Sequence, residues 1–271
     1  MSLLTVPGAQ VYYEVEGSGP LLILIPGASG TGESFRPLIS HLTAHYQVVI
    51  YDRRGFSQSK LGGPQDYAHR LATDADDVRR LIERVTDQPA MVFGNSSGAL
   101  VALEVLIRFP ERVQTVIVHE PPIVSLLPDA GEWLAFFDKV YETSRKQGVP
   151  AAMHQFASRV LGSLDHQILE RAMREHANEY TLSNAGYWME HELRQYPRAE
   201  FDLTALTAHA EQIVLAGRGD SHDQMTYRPN KILAQQLGCD IIDFPGGHLG
   251  FLSFPAEFAQ ALVNALNNEL V

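Results

Sequence analysis

The sequence predicts an α/β domain: a mostly parallel central sheet flanked by helices and interrupted by a helical insertion. Three observations carry this. Short continuous apolar runs, such as Leu21–Ile25 and Ala90–Phe93, have the length and composition of strands buried on both faces. Longer stretches with helical spacing separate them, so strand and helix alternate. From 121 to 208 the alternation stops and the chain reads as successive helices. The core is therefore assigned to 1–120 and 209–271, and the insertion to 121–208.

Taken in order, residues 3–6 and 10–16 read as two strands, the second with one exposed face. Gly17-Ser18-Gly19-Pro20 turns the chain into the buried run 21–25. The glycine-rich loop 26–32 lacks both the G-x-G-x-x-G and the G-K-[ST] of a phosphate cradle. A helix is expected over 33–46. Its His41 and His45 have the spacing of a metal pair but no third ligand, and are read as surface or packed residues. Gln47–Tyr51 is a strand, and Tyr67–Arg84 a helix. Asp74, Asp76, Asp77, Arg79, Arg80 and Glu83 are expected on its solvated face, with Asp76–Arg80 as an i,i+4 pair. Val113–Val118 is a core strand that runs into His119-Glu120-Pro121-Pro122, where two prolines break regular structure.

In the insertion, Trp133, Phe136, Phe137, Val140 and Tyr141 form a stripe at i, i+3, i+4, i+7 and i+8. Residues 149–161, 165–180 and 184–196 read as further helices. Strands at 213–216 and 241–244, with helices at 227–237 and 255–270, complete the chain.

The stretch 90–109 organises the chemistry. A buried strand gives way to a helix across Gly94-Asn95-Ser96-Ser97-Gly98, a G-x-S-x-G. So sharp a turn holds its central serine in a strained conformation and aims the hydroxyl out of the sheet, over a helix N-terminus. Ser96 is the candidate nucleophile, and the Ser97 N–H can donate to an oxyanion formed beside it. A serine hydroxyl needs a base, and the base an orienting acid. His248, in the loop Gly246-Gly247-His248 after a strand, is the base. Asp220, in Gly217-Arg218-Gly219-Asp220 after another strand, is the preferred acid. Glu120 at a strand end is its rival, and Asp223 a minor third.

Together these segments resemble the α/β-hydrolase superfamily. The resemblance spans nearly the whole chain and includes Leu22 to Gly27, Asp52-Arg53-Arg54-Gly55-Phe56-Ser57, the elbow, Gly217 to Asp220 and the Gly246-Gly247-His248 loop. It implies an α/β-hydrolase fold with 121–208 as a helical cap over an apolar pocket. Trp133, Phe137, Tyr187 and Trp188 are the cap aromatics expected to bind substrate. Pro26-Gly27 stands where the family commonly has His-Gly. The resemblance makes the Ala28 N–H the second oxyanion donor, and a backbone donor survives that substitution. The Asp52-Arg53-Arg54 loop is read as structural, its charges holding the loop near the site. Epoxide hydrolases and haloalkane dehalogenases of this fold use aspartate where Ser96 stands, so they are excluded.

The expected activity is hydrolysis of a small, fairly apolar ester or lactone through an acyl-enzyme on Ser96. The alternatives are a small-molecule receptor on the same fold, and a lyase or cofactor-free haloperoxidase using the same triad. A net charge of −11 argues against a nucleic-acid partner. No cofactor or metal is implied, since H-E-x-x-H, C-x-x-C and dinucleotide fingerprints are absent. The single cysteine, Cys239, allows no internal disulfide and is read as a packed small residue. No signal peptide or apolar membrane-length run is seen, so no membrane partner and a cytoplasmic location are expected. Oligomeric state is not legible.

Overall fold

The computed structural model describes residues 2–175, 177–218 and 223–267. Its strands are β1 (Ser2–Val6), β2 (Ala9–Gly17), β3 (Leu21–Ile25), β4 (Gln47–Tyr51), β5 (Lys60–Leu61), β6 (Ala90–Asn95), β7 (Val113–His119), β8 (Ile213–Gly217) and β9 (Ile241–Asp243). They form one sheet in the order β1-β2-β4-β3-β6-β7-β8-β9, with β5 beside β2. Pairing is antiparallel at β1–β2 and β2–β4 and parallel from β4 through β9. The parallel strands β3 and β6 are buried along their whole length, which is why they read as unbroken apolar runs.

Helices α1 (Arg36–Leu42), α2 (Arg70–Val85) and α3 (Ser97–Arg108) follow strands of the first half. The insertion supplies α4 (Ala130–Gln147), α5 (Val149–Val160), α6 (Ser163–Glu175) and α7 (Thr181–His191). Then come α8 (Leu203–Ala208), α9 (Arg228–Leu237), α10 (Gly250–Ser253) and α11 (Pro255–Leu266). One core layer gathers α2 and α3 on one face of the sheet, and a second gathers α1 and α11 on the other. A third cluster lies within the insertion, where Phe137, Val140, Trp188 and Met189 pack with Phe56 and Met225 from the core segments. Leu206 of α8 packs into the first sheet layer rather than into the insertion cluster.

Two differences from the expected elements have physical reasons. The helix read over 33–46 divides into a 3₁₀ turn at Gly32–Phe35 and α1, because Pro37 occupies the first turn of a new helix. His41 and His45 are both exposed, in keeping with their reading as surface residues, and His45 lies beyond the end of α1. On α2, Asp76, Arg79 and Glu83 pair at the partly exposed face as expected, with Arg80 Nε 2.6 Å from Asp76. Asp74 and Asp77, however, are buried, because Arg53 and Arg54 reach them from the loop after β4. No single described helix is long and apolar enough to cross a membrane.

Candidate active site

The turn between β6 and α3 is as tight as its glycines allow. A Cβ on Gly94 would sit 2.4 Å from the Gly98 carbonyl oxygen, and one on Gly98 would sit 2.2 Å from that of Ile25. Ser96 takes φ 55°, ψ −124° at the N-cap of α3, and its N–H donates to the His119 carbonyl at 3.0 Å. Positive φ is costly for a residue with a side chain, and such strain concentrates at functional sites. Among the described residues only Ser57, Ser96 and Glu120 show it outside glycine. Two of these three are candidate catalytic residues.

Glu120 follows the last residue of β7, and His248 lies in a 3₁₀ turn at Gly247–Leu249. Glu120 Oε2 accepts a hydrogen bond from His248 Nδ1 at 2.8 Å, with both side chains buried. The Thr226 hydroxyl also donates to Oε2 (3.2 Å), and the Arg218 N–H donates to Oε1 (3.3 Å). Burial pushes the Glu120 carboxyl up, but the His248 bond and charge outweigh it and hold the group below its usual range. For His248, burial favours the neutral ring; the Glu120 bond and charge, with the Asp165 charge, overcome this and raise its pKa above 6.5. With Nδ1–H given to Glu120, Nε2 is left free to take a proton. Asp220 lies outside the described residues. Asp223 is exposed.

Asn95 ties the strand ends together. Its amide nitrogen donates to His119 Nδ1 (3.0 Å) and to the His248 carbonyl (3.2 Å), linking the residue before Ser96 to the histidine loop. His119 is fully buried among Phe93, Phe244 and Phe258, and burial lowers its pKa to about 4. It is therefore neutral near pH 7.

The loop after β3 lies against the elbow: a Cβ on Gly27 would come 3.0 Å from Ser96 Cβ. The Gly27 carbonyl accepts from Arg53 Nη2 (2.8 Å) and from the Gly30 N–H (3.0 Å). Asp52 holds the same loop through the Thr31 hydroxyl (2.7 Å) and the Gly32 N–H (3.1 Å). The loop-holding role expected of Asp52 and Arg53 is therefore seen. Among the described residues, neither the Ala28 nor the Ser97 N–H is engaged by another residue.

Above Ser96 and Ser97 lies a cavity of about 20 Å³, lined by Phe137, Phe156, Trp188 and Met225 and bordered by Glu192 and Thr226. That is room for about one water. Phe137 and Trp188 line it as expected. Trp133 and Tyr187 do not. Trp133 is one helical turn before Phe137, and its ring carries the Arg159 guanidinium 4.6 Å from its centroid while its N–H donates to Asp129. Tyr187 precedes Trp188 and so faces another side of α7, packing edge-on to Phe56 and accepting from Arg70 at 2.8 Å. Phe156 belongs to a helix legible in the sequence; Met225 sits in an irregular segment before α9 and carries no sequence signal.

Two buried carboxylates of the insertion, Asp165 and Glu192, have no motif in the sequence to mark them. Asp165 Oδ2 accepts from the His248 N–H (3.1 Å) and Oδ1 from the Leu249 N–H (2.9 Å). Glu192 takes two hydrogen bonds from Arg53 (3.0 and 2.7 Å) and one from Arg70 (3.0 Å). Away from the cavity, His154, His166 and Glu170 bring ligand-type atoms within 4.8 Å of one another on the partly exposed α5–α6 surface. They do not touch the site. Cys239 is half-buried against the core, and burial raises its thiol.

Comparison with known proteins adds to this geometry. A family model described as the alpha/beta hydrolase fold matches residues 20–255. An uncharacterized hydrolase, YraK, of Bacillus subtilis (strain 168) is 34% identical over 270 residues, covering 98% of this chain and 96% of its own. A zearalenone hydrolase of Cladophialophora bantiana is 26% identical, covering 99% and 97%. The enol-lactonase structure from Burkholderia xenovorans LB400 superposes with TM-score 0.72 at 16% identity over 98% of this chain and 100% of that one, a likeness of fold.

Proposed function

The chain belongs to the α/β-hydrolase family, and on that footing we propose that it is a serine hydrolase acting through an acyl-enzyme on Ser96. The observation that carries this reading is the buried Glu120–His248 pair, 2.8 Å apart, whose histidine backbone is held by Asn95, the residue before the strained Ser96. Ser96 Oγ attacks a carbonyl carbon and its proton passes to His248 Nε2. The Ala28 and Ser97 N–H groups hold the oxyanion. Collapse expels the leaving alcohol, which takes the proton from His248. Water then attacks the acyl-enzyme, giving its proton to His248, and the free acid leaves as Ser96 is reprotonated. Glu120 accepts from Nδ1–H throughout and stabilises the imidazolium. Glu120 takes the role for which the sequence favours Asp220.

The substrate class is an ester or lactone whose acid part is small and largely apolar. The phenylalanines, Trp188 and Met225 around Ser96 support it. So does the likeness of fold to the enol-lactonase of Burkholderia xenovorans. The insertion acts as the cap, and since the cavity as it stands has room for about one water, its helices part to admit substrate.

Rapid mixing with p-nitrophenyl acetate tests the mechanism. A burst of nitrophenol approaching one per chain is expected, with an acetyl group trapped on Ser96 after acid quench. Turnover with no acetyl on Ser96, and unchanged in Ser96→Ala, would refute it.

A further inference from the structure

The cap does more than cover the pocket. We infer that its two buried carboxylates, Asp165 and Glu192, are positioning residues that hold the catalytic histidine loop and the oxyanion-binding peptide in place, so that the site is complete only with the cap seated. The inference rests on the serine-hydrolase reading.

The first contact is at the histidine. Asp165 is 3% exposed, and its two oxygens take the consecutive N–H groups of His248 and Leu249. These are the amides at the start of a short 3₁₀ turn, where a helix of that size leaves donors unpaired. Gly246 and Gly247 both have positive φ, which turns the amides toward α6. A Cβ on Gly247 would lie 2.8 Å from Asp165 Oδ2, so the carboxylate sits hard against the loop. On the other side the His248 carbonyl is held by Asn95. The histidine backbone is thus fixed between the elbow and the cap.

The second contact acts at one remove. Glu192 occupies the C-cap position of α7 and is fully buried. It grips the Arg53 guanidinium with both oxygens, and Arg53 Nη2 donates to the Gly27 carbonyl. That carbonyl shares a peptide unit with the Ala28 N–H. In a planar trans peptide the two point to opposite sides. Holding the carbonyl toward Arg53 therefore turns the Ala28 N–H away from it. A bidentate carboxylate–guanidinium pair sets orientation as well as position. Glu192 and Trp188 are one turn apart on the same helix segment and both border the cavity, so the element that meets substrate also sets the peptide.

The test uses full-length protein, p-nitrophenyl acetate and an alkyl fluorophosphonate. Asp165→Asn keeps one acceptor and turns the other into an amine facing an N–H. Glu192→Gln loses the charge and one acceptor from the Arg53 grip. The control is Glu190→Gln, an exposed neighbour on α7 bonded to Tyr141. Both test variants are expected to lose ten- to a hundredfold in kcat and in phosphonylation rate, with KM within about threefold, short of the 10²–10³ lost with a whole oxyanion donor. In Asp165→Asn the His248 and Leu249 amides should also exchange with deuterium faster while global melting is held. Arg53→Lys replaces Glu192→Gln should the latter not fold. Wild-type-like rates in the test variants overturn the inference, as does an equal loss in the control. A wild type that forms no adduct at all defeats the serine reading, and this inference with it.

Discussion

Replacing Glu120 with glutamine isolates what a charge at this position does. The volume is unchanged, so the outcome depends on where the new amine goes. Oε1 faces the Arg218 backbone N–H, which can only donate. Oε2 faces the Thr226 hydroxyl, which can rotate to accept, and His248 Nδ1. The amine therefore settles at the Oε2 position and donates to Nδ1. This forces the ring proton onto Nε2, the atom that receives the Ser96 proton in the proposed mechanism. Both the base and the charge that stabilises the imidazolium are lost. In serine triads an acid-to-amide change of this kind lowers kcat about 10⁴-fold through the wrong tautomer. We expect a loss of about 10³–10⁴-fold for Glu120→Gln in p-nitrophenyl acetate turnover, and less than about threefold for Asp220→Asn. Thermal melts on both variants control for folding. A Glu120→Gln enzyme keeping a tenth of wild-type activity, with Asp220→Asn inactive, would refute the assignment.

Other predictions follow from the same structure. The Glu120 contact raises the pKa of His248 from the ordinary histidine value, and in the proposed mechanism the ring must be neutral to act as base, so kcat/KM should climb with pH along a limb displaced upward of that ordinary value and then level off; a limb at or below the ordinary histidine value would contradict this. His119 has the opposite sign: its folded pKa of about 4 lies below the unfolded value near 6.5, so stability is full above 6.5 and falls as pH drops toward 4. The loss approaches about 3 kcal/mol, and His119→Gln should flatten that part of the urea-stability profile relative to wild type. Gly98→Ala pushes a methyl to 2.2 Å from the Ile25 carbonyl oxygen and should cost about 3 kcal/mol in urea unfolding; a neutral effect would mean the turn is looser than described. Phe156→Leu, at the cavity wall, should shift the preferred acyl length by a carbon or two, whereas Trp133→Leu should leave the preference unchanged, as read from kcat/KM across a series of p-nitrophenyl esters.

Much of the fold was legible because buried parallel strands leave unbroken apolar runs, and because the elbow's glycines are demanded by backbone contacts that a side chain would violate. Those constraints act on short stretches, and sequence carries local constraints well. Which carboxylate meets His248 is not local. It depends on the extra length of β7 and the positive φ at Glu120, which the two following prolines disguise as an ordinary strand break. The aromatics of the insertion show the same limit. Trp133 and Phe137 share a helical stripe, yet one faces Arg159 and the other the cavity. Asp74 and Asp77 read as members of a solvated charge pattern, and Asp165 and Glu192 carry no motif. They are buried because arginines or loop amides from distant segments close over them, and spacing along one helix does not reveal that.

The central claim is that Ser96 is an activated nucleophile. It is tested most directly by treating wild type and Ser96→Ala with a fluorophosphonate and reading intact mass. One phosphonyl group per chain, mapped to Ser96 and absent from the variant, is the expected result. Folded wild type left unmodified by a methyl-sized probe, or an adduct that persists in Ser96→Ala, would contradict it.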